Sequence, residues 1–300
     1  MCGIVGLYLK KSNLFDQIGE LFSTMLVCLS SRGPDSAGFA MYGSEPPAGY
    51  IKVTLRHDGE NYDWQILSDE LSQHLECQPQ LHTNSNYAVI AVPAQEAEIR
   101  RALQDLDASV NVMSIGRSIE ILKEVGSPQS IVERFSMRSM YGSHAIGHTR
   151  MATESAVTTD GSHPFSTGMD LCLVHNGSLS NHNRLRRILQ RYGIEIRTEN
   201  DSEVAAGYLM WQMQRGKSLQ QALESALEDL DGFYTFAIGT AEGFAVLRDP
   251  IACKPAVLAE TADFVAMASE FQALADLPGI DQAKVWEPKP GMVYTWGSAA

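Results

Sequence analysis

Hydrophobic and polar positions alternate along the chain in a way that predicts short strands interspersed with amphipathic helices. An apolar run at residues 3–9 predicts a buried strand that starts almost at the N-terminus. Residues 16–29 carry apolar side chains at helical spacing, which predicts a helix with one core-facing stripe. The segment 32–36 contains Gly and Pro and ends that helix. Cys2 is therefore expected at the end of a sheet strand.

The segment from about residue 45 to about residue 135 has the pattern of a unit inserted into a larger domain. Loop-forming residues at 43–49 precede it. Strand and helix patterns then alternate, with strands predicted at 50–57, 87–92 and 110–115 and helices at 63–75 and 94–106. This alternation over about 70 residues predicts a small ferredoxin-like α/β module.

The remainder of the chain, from about residue 139, also alternates strand-like and helical patterns. The strands are predicted at 144–148, 171–175, 233–239, 245–247 and 264–268, and the helices at 183–192, 202–213 and 219–230. This order fits mostly antiparallel sheets flanked by helices, which is an α+β fold.

Composition and charge narrow the classes of partner. The chain has 300 residues, 44% of them hydrophobic, and a formal net charge of -13. Nucleic acids and anionic membranes reward clustered Lys and Arg, so this acidic balance disfavours both. No run approaches the roughly 20 apolar residues of a membrane-spanning helix, and the N-terminus lacks the basic start of a signal peptide. We therefore expect a cytoplasmic protein without a nucleic-acid or membrane partner.

The cysteines and histidines do not form a metal-binding pattern. The five cysteines are scattered without a C-x-x-C pair, which argues against zinc, an iron–sulfur cluster or a redox dithiol. Five histidines cluster in sequence but lack zinc-site spacing, namely His144, His148, His163, His175 and His182. We predict no metal site.

Cys2 stands in a position that suits a nucleophile. If Met1 is removed, Cys2 carries both a thiol, with a pKa of about 8.5, and an α-amine with a pKa of about 8. The amine can then accept the thiol proton directly or through one water near neutral pH. The alternative is that Cys2 is an ordinary buried strand residue, because free cysteines are often buried.

Two polar elements downstream could line a pocket with Cys2. The first, residues 32–38, contains Arg32 but has the composition of a simple turn. The second, residues 147–153, places Arg150 at a strand end. The guanidinium fork of an arginine suits the α-carboxylate of an amino acid, although a surface salt bridge is the alternative.

Two further elements could complete the site. Asn176 and Gly177 follow an apolar strand and could donate two hydrogen bonds to an oxyanion, although Asn-Gly is also the commonest hairpin turn. Asp201 lies where a helix is predicted to begin, where carboxylates cap helices. The same carboxylate could bind the α-ammonium of glutamine.

In order along the chain, the motifs at 1–6, 32–38, 147–150, 175–177 and 200–203 together resemble those of the class II glutamine amidotransferase family. The resemblance implies the N-terminal-nucleophile fold, an αββα sandwich, here with the ferredoxin-like insertion at about 45–135 in a domain that spans 1–300. It implies hydrolysis of L-glutamine through a thioester, with no cofactor. The implied roles are nucleophile for Cys2, oxyanion hole for Asn176 and Gly177, carboxylate binding for Arg150, amine binding for Asp201, and support for the site by Arg32, with Thr153 and His163 also matching family positions.

Two departures from the family pattern, together with the length of the chain, indicate which branch of the family the sequence resembles. Met151 stands where many glucosamine-6-phosphate synthases carry an aromatic residue, and the insertion is the second departure. The chain is most similar to stand-alone glutaminase subunits of glutamate synthase and N-methylglutamate synthase systems. That similarity implies a hetero-oligomer with flavin and iron–sulfur subunits that use the ammonia. The alternatives are another N-terminal-nucleophile amidase, or a non-catalytic subunit whose insertion senses a small ligand.

Overall fold

The computed structural model describes residues 2–152 and 157–297, in which strands dominate. The strands are β1 (Gly3–Leu9), β2 (Ser36–Tyr42), β3 (Ile51–Arg56), β4 (Gln80–Asn84), β5 (Tyr87–Val92), β6 (Asn111–Gly116), β7 (Ile119–Val125), β8 (His144–Arg150), β9 (Phe165–Gly168), β10 (Leu171–Leu179), β11 (Gly232–Thr240), β12 (Gly243–Arg248), β13 (Val257–Glu260), β14 (Phe264–Ala268), β15 (Lys284–Trp286) and β16 (Val293–Gly297). The α-helices are α1 (Ile18–Cys28), α2 (Trp64–His74), α3 (Glu96–Leu106), α4 (Pro128–Arg134), α5 (His182–Arg191), α6 (Asp201–Gln214) and α7 (Leu219–Asp229). Within the described ranges, each helix is too short or too polar to cross a membrane.

Two large antiparallel sheets pack face to face between layers of helices. The seven-stranded sheet has the order β15-β13-β14-β1-β8-β2-β7, and the five-stranded sheet has the order β16-β12-β11-β10-β9. One buried cluster lies between α1, α4 and the seven-stranded sheet, a second between the two sheets, and a third between the five-stranded sheet and α5, α6 and α7. These layers confirm the predicted αββα sandwich.

Strand β1 lies inside the seven-stranded sheet, and both of its faces are buried. Val5 and Leu7 pack in the cluster with α1, whereas Ile4 packs in the cluster between the sheets. β1 pairs with β14 on one edge and β8 on the other, with Gly3 opposite Thr149. A continuous apolar run is what a strand buried on both faces requires. This pairing fixes the position of the chain's second residue.

The inserted module has its own sheet and core. Its elements follow the order β3-α2-β4-β5-α3-β6, and its sheet has the strand order β4-β5-β3-β6, as in ferredoxin-like folds. The module core includes Leu55, Leu71 and Ile90. The module spans residues 51–116, which is narrower than the predicted 45–135, because β7 pairs with β2 and α4 packs beside α1 in the sandwich.

One carboxylate fastens the module to the sandwich. Asp170, in the turn between β9 and β10, accepts hydrogen bonds from the backbone N–H groups of Arg117, Ser118 and Ile119 at 2.7, 2.8 and 3.0 Å. Arg117 and Ser118 connect β6 of the module to β7 of the sandwich, and Ile119 is the first residue of β7. Hydrogen bonds to an ionised acceptor are among the stronger ones in proteins, so Asp170 holds this connection in place.

Candidate active site

Cys2 directly precedes β1 and lies beside the end of β8. Its side chain is partly exposed, and Sγ lies 3.9 Å from the carbonyl oxygen of Met151. The carbonyl oxygen of Cys2 accepts two hydrogen bonds, from Arg32 Nε at 3.0 Å and from Asn176 Nδ2 at 3.0 Å. Three of the residues predicted for the site, far apart in sequence, therefore meet at one peptide group.

Arg32 is held in place from its other end. Its side chain is buried, and Nη1 forms an ion pair with Glu270. Glu270 follows β14, the neighbour of β1, and the adjacent Ser269 accepts a hydrogen bond from Ile4 N at 2.9 Å. The sequence predicted a strand at 264–268 but did not reveal the ion pair that follows it, because the pairing of β14 with β1 is not visible in sequence.

Asn176 and Gly177 lie inside a strand and do not form a hairpin turn. Both belong to β10, where Gly177 is opposite Tyr234 of β11. Tyr234 donates its N–H to Asp249 Oδ1 and accepts from Asp249 N, both at 3.0 Å. Residues 177 and 234 are therefore a pair whose backbone groups do not hydrogen-bond to each other. The amide of Gly177 points away from β11, to the other edge of β10.

The carboxylate of Asp201 lies at the same edge of β10. Leu179, two residues after Gly177, donates its N–H to Asp201 Oδ2 at 2.8 Å. Backbone groups of alternate strand residues point to the same side, so the amide of Gly177 and the carboxylate of Asp201 share one edge. Gly177 has a φ of 149°, and a Cβ there would lie 2.0 Å from the carbonyl oxygen of Phe233. Only glycine fits at this position.

Arg150 and Asn200, the residue before Asp201, both contact one backbone carbonyl. Gly161 O accepts a hydrogen bond from Asn200 Nδ2 at 3.1 Å and lies 3.5 Å from Arg150 Nη1. Asn200 caps α6 through a hydrogen bond from Ser202 N, and Asp201 is the first residue of that helix. A guanidinium and a carboxylate are thus placed at one loop, an arrangement that suits the two charged groups of an α-amino acid.

Three histidines form a buried layer behind Asp201. His163 Nε2 and His175 Nδ1 lie 2.8 and 2.9 Å from the hydroxyl of Ser202, and His148 stacks on His163 with ring centroids 4.0 Å apart. Burial lowers the pKa of all three, and that of His148 to about 3. These rings are uncharged at neutral pH and support the first turn of α6.

Two predicted residues remain, His163 and Thr153. His163 is 6% exposed, so it lies in the layer behind the pocket and not on the open side. Thr153 lies outside the described residues. Ser202 and Glu270 were missed in the sequence because serine and glutamate are common at helix starts and after strands, and only tertiary contacts distinguish them.

Comparisons with known proteins place the chain in a family. A family described as glutamine amidotransferase domain matches residues 148–276. The glutamine amidotransferase-like protein GlxB of Rhizobium meliloti is 55% identical over 297 residues, which are 99% of this chain and 98% of that protein. A relative from Methanothermobacter thermautotrophicus, also named for glutamine amidotransferase, is 33% identical and matches over 99% of both chains.

Solved structures agree with the fold. The glutamine phosphoribosylpyrophosphate amidotransferase of B. subtilis superposes with a TM-score of 0.62 at 19% identity, over 99% of this chain and 47% of that one. A regulatory enzyme of purine biosynthesis gives a TM-score of 0.63 at 20% identity, over the same shares. Since two relatives match nearly the whole chain at 55% and 33% identity, the chain belongs to the class II glutamine amidotransferase family and is a glutamine amidotransferase.

Proposed function

We propose that the chain is the glutaminase subunit of a two-component amidotransferase, in which Cys2 hydrolyses L-glutamine and a partner synthase subunit uses the ammonia. The observation that carries the proposal is the hydrogen bond from Asn176 Nδ2 to the carbonyl oxygen of Cys2, at 3.0 Å. A side-chain amide has two N–H groups. One binds the Cys2 carbonyl, and the second can serve an oxyanion formed beside the Cys2 thiol.

The proposed reaction has two halves, each with a balanced proton transfer. The α-amine of Cys2 takes the thiol proton, the thiolate attacks the side-chain amide carbon of glutamine, and the oxyanion is stabilised by Asn176 and the amide of Gly177. The protonated amine then gives its proton to the departing ammonia, which leaves a γ-glutamyl thioester. In the second half the amine takes a proton from water, and the hydroxide attacks the thioester carbon. The C–S bond then breaks, glutamate leaves, and the protonated amine returns its proton to the Cys2 thiolate.

Substrate selection in this proposal rests on two opposite charges. Arg150 binds the α-carboxylate and Asp201 binds the α-ammonium. A fixed spacing between them is supported by Gly161 O, which is contacted by Arg150 and by Asn200, the residue before Asp201. An N-terminal-nucleophile amidase for acyl amides would need neither charge. We also propose roles for Thr153 and His163 around glutamine, with His163 acting through Ser202.

The acceptor reaction takes place on a partner in this proposal. The similarity to stand-alone glutaminase subunits supports a synthase of the glutamate synthase or N-methylglutamate synthase type, with flavin and iron–sulfur subunits. Ammonia is kept from bulk water if the partner covers the Cys2 pocket. Purification of the complex from its source, followed by mass spectrometry and a visible spectrum, tests this step, and a complex without flavin contradicts it.

The hydrolytic step is tested with protein whose loss of Met1 has been verified by intact mass. We expect glutamate release from L-glutamine, little release from simple acyl amides, and no activity in protein that retains Met1. Cys2→Ser should abolish release, whereas Cys253→Ser, which changes an exposed cysteine, should not. Equal activity in the Cys2→Ser variant and the wild type would overturn the proposal.

A further inference from the structure

A cleft of about 660 Å³ lies between the inserted module and the sandwich, away from the Cys2 pocket. Module residues from α3 and β6 form one wall, and β9 and the segment 192–198 form the other. Neither Cys2, Asn176 nor Asp201 lines it. The volume is in the range of sites for small molecules, which is about 300–1,000 Å³.

Two buried hydroxyl groups in this cleft have no hydrogen-bond partner within the described residues. They belong to Ser114 on β6 and Thr167 on β9, two strands in contact with each other. Ser114 is 2% exposed. A buried hydroxyl without a partner costs about 1–3 kcal/mol, so two of them in the lining of one cleft indicate a polar ligand.

The charges in the cleft restrict the class of that ligand. Three basic and four acidic side chains line it: Arg100, Lys123, Arg197, Glu96, Asp160, Glu195 and Glu203. Most of these side chains already have partners, as in the pairs Arg100–Glu96 and Arg197–Glu195. A nearly balanced lining disfavours polyphosphates and polyamines, because each needs an excess of opposite charge. A zwitterion fits this balance.

One path connects the cleft to the predicted glutamine pocket through Lys123. Its ammonium group donates hydrogen bonds to the carbonyl oxygens of Asp160 at 3.1 Å and Ser162 at 2.6 Å. The residue between them is Gly161, whose carbonyl oxygen contacts Arg150 and Asn200. A ligand that moves Lys123 therefore moves the carbonyl that lies beside the substrate-binding guanidinium.

A second path runs through the first turn of α6. Glu203 lines the cleft, and its carboxylate accepts hydrogen bonds from Arg197 N at 2.9 Å and Thr198 N at 2.6 Å. Asp201 lies two residues earlier in the same turn. The segment 197–198, which also lines the cleft, is thus tied to the helix start that presents Asp201.

We propose that this cleft binds a zwitterionic ligand of the α-amino-acid class, and that its occupancy changes the KM for glutamine at the Cys2 pocket. The ligand-binding part stands on the cleft alone. The effect on KM rests on the proposed glutaminase function.

The test uses a double variant, Ser114→Ala with Thr167→Val, that removes both hydroxyls and nearly preserves shape. Without ligand, we expect the double variant to be as stable as the wild type or more stable, because unpartnered polar groups are lost. A clear loss of stability would show that the hydroxyls are already partnered, and would overturn the proposal.

Binding is measured by titration calorimetry with glycine, L-alanine, L-serine, L-aspartate and L-glutamate, and with pyrophosphate as a polyanion control. We expect at least one amino acid to bind to the wild type and to bind the double variant at least tenfold more weakly. Binding of none of them, binding unaffected by the double variant, or tighter binding of pyrophosphate would each overturn the proposal.

The connection to catalysis is read from glutamate release at increasing glutamine concentration. The bound amino acid should shift KM in the wild type, leave kcat unchanged, and have no effect in the double variant. An unchanged KM in active wild-type protein that binds the ligand refutes the connection. If neither protein releases glutamate while calorimetry still detects binding in the cleft, the proposed function has failed and the ligand site stands.

Discussion

Replacing Asn176 with leucine tests the proposed oxyanion hole most directly. Leucine has nearly the same shape but no N–H donor, and Asn176 is only 4% exposed. The change removes one of the two hydrogen bonds that the Cys2 carbonyl accepts and leaves the bond from Arg32 Nε intact. The structural loss and the catalytic loss should therefore differ in size.

The expected magnitudes follow from these contacts. Loss of one hydrogen bond from a carbonyl that keeps another costs about 1 kcal/mol of unfolding free energy, or about 2 °C in Tm for a chain of this size. Loss of one oxyanion donor lowers kcat by about 10²–10³, which corresponds to about 3–4 kcal/mol. The KM for glutamine should change little, since Arg150 and Asp201 are untouched.

The assay combines steady-state glutamate release with alkylation of Cys2 by iodoacetamide. Alkylation passes through no oxyanion, so the variant and the wild type should be alkylated at nearly equal rates while kcat falls. A parallel fall of both rates would show that Asn176 positions the thiol and would refute the oxyanion role. A fall in kcat of less than about tenfold would also refute it.

Three other changes have distinct expected outcomes. Asp201→Asn keeps an acceptor for Leu179 N but removes the negative charge. The KM for glutamine should therefore rise about 10–100-fold with kcat little changed. A KM equal to that of the wild type would contradict amine binding by Asp201. Because burial lowers the pKa of His148 to about 3 from 6.5, its folded form binds fewer protons than the unfolded chain, and stability is lost as pH falls below 6.5. His148→Gln should reduce the loss measured by urea unfolding between pH 7.5 and 5.5 by about 1 kcal/mol, and an unchanged pH dependence would count against this reasoning. Asp170→Ala removes the acceptor of three backbone N–H groups and should lower the free energy of unfolding by about 3 kcal/mol. Asp170→Asn should recover part of this loss. Equal stability of the wild type and both variants would contradict the anchoring role.

Most of the fold could be predicted where hydrophobic periodicity is strong. The predicted strands at 3–9, 87–92 and 264–268 coincide with β1, β5 and β14. Strand β7 was not predicted from the sequence, although it pairs with β2 along seven residues. Strand pairing between distant segments leaves no periodic signal, so the end of the module could not be separated from the return of the chain to the sandwich.

The sequence pointed to Cys2, Arg32 and Asn176, which meet at one peptide group, but it did not reveal the local structure around them. An Asn-Gly pair is ambiguous, and its location inside β10 is decided by the pairing of β10 with β11. The spacing of the histidines does not reveal the buried layer that His148, His163 and His175 form, because the shared contact of His163 and His175 with Ser202 exists only after α6 packs beside β10. Tertiary contacts, and not local preference, set both outcomes.

The position of the inserted module also determines how the chain can be engineered. β2 and β7 are antiparallel neighbours, with Tyr42 directly opposite Ile119, so residues 43–118 occupy the place of a hairpin turn. A two-residue turn could join these strand ends without disturbing the register of the sheet. The chain is thus a natural case of domain insertion, and exchanging 43–118 for a short turn or another ferredoxin-like unit would keep β2 and β7 as antiparallel neighbours.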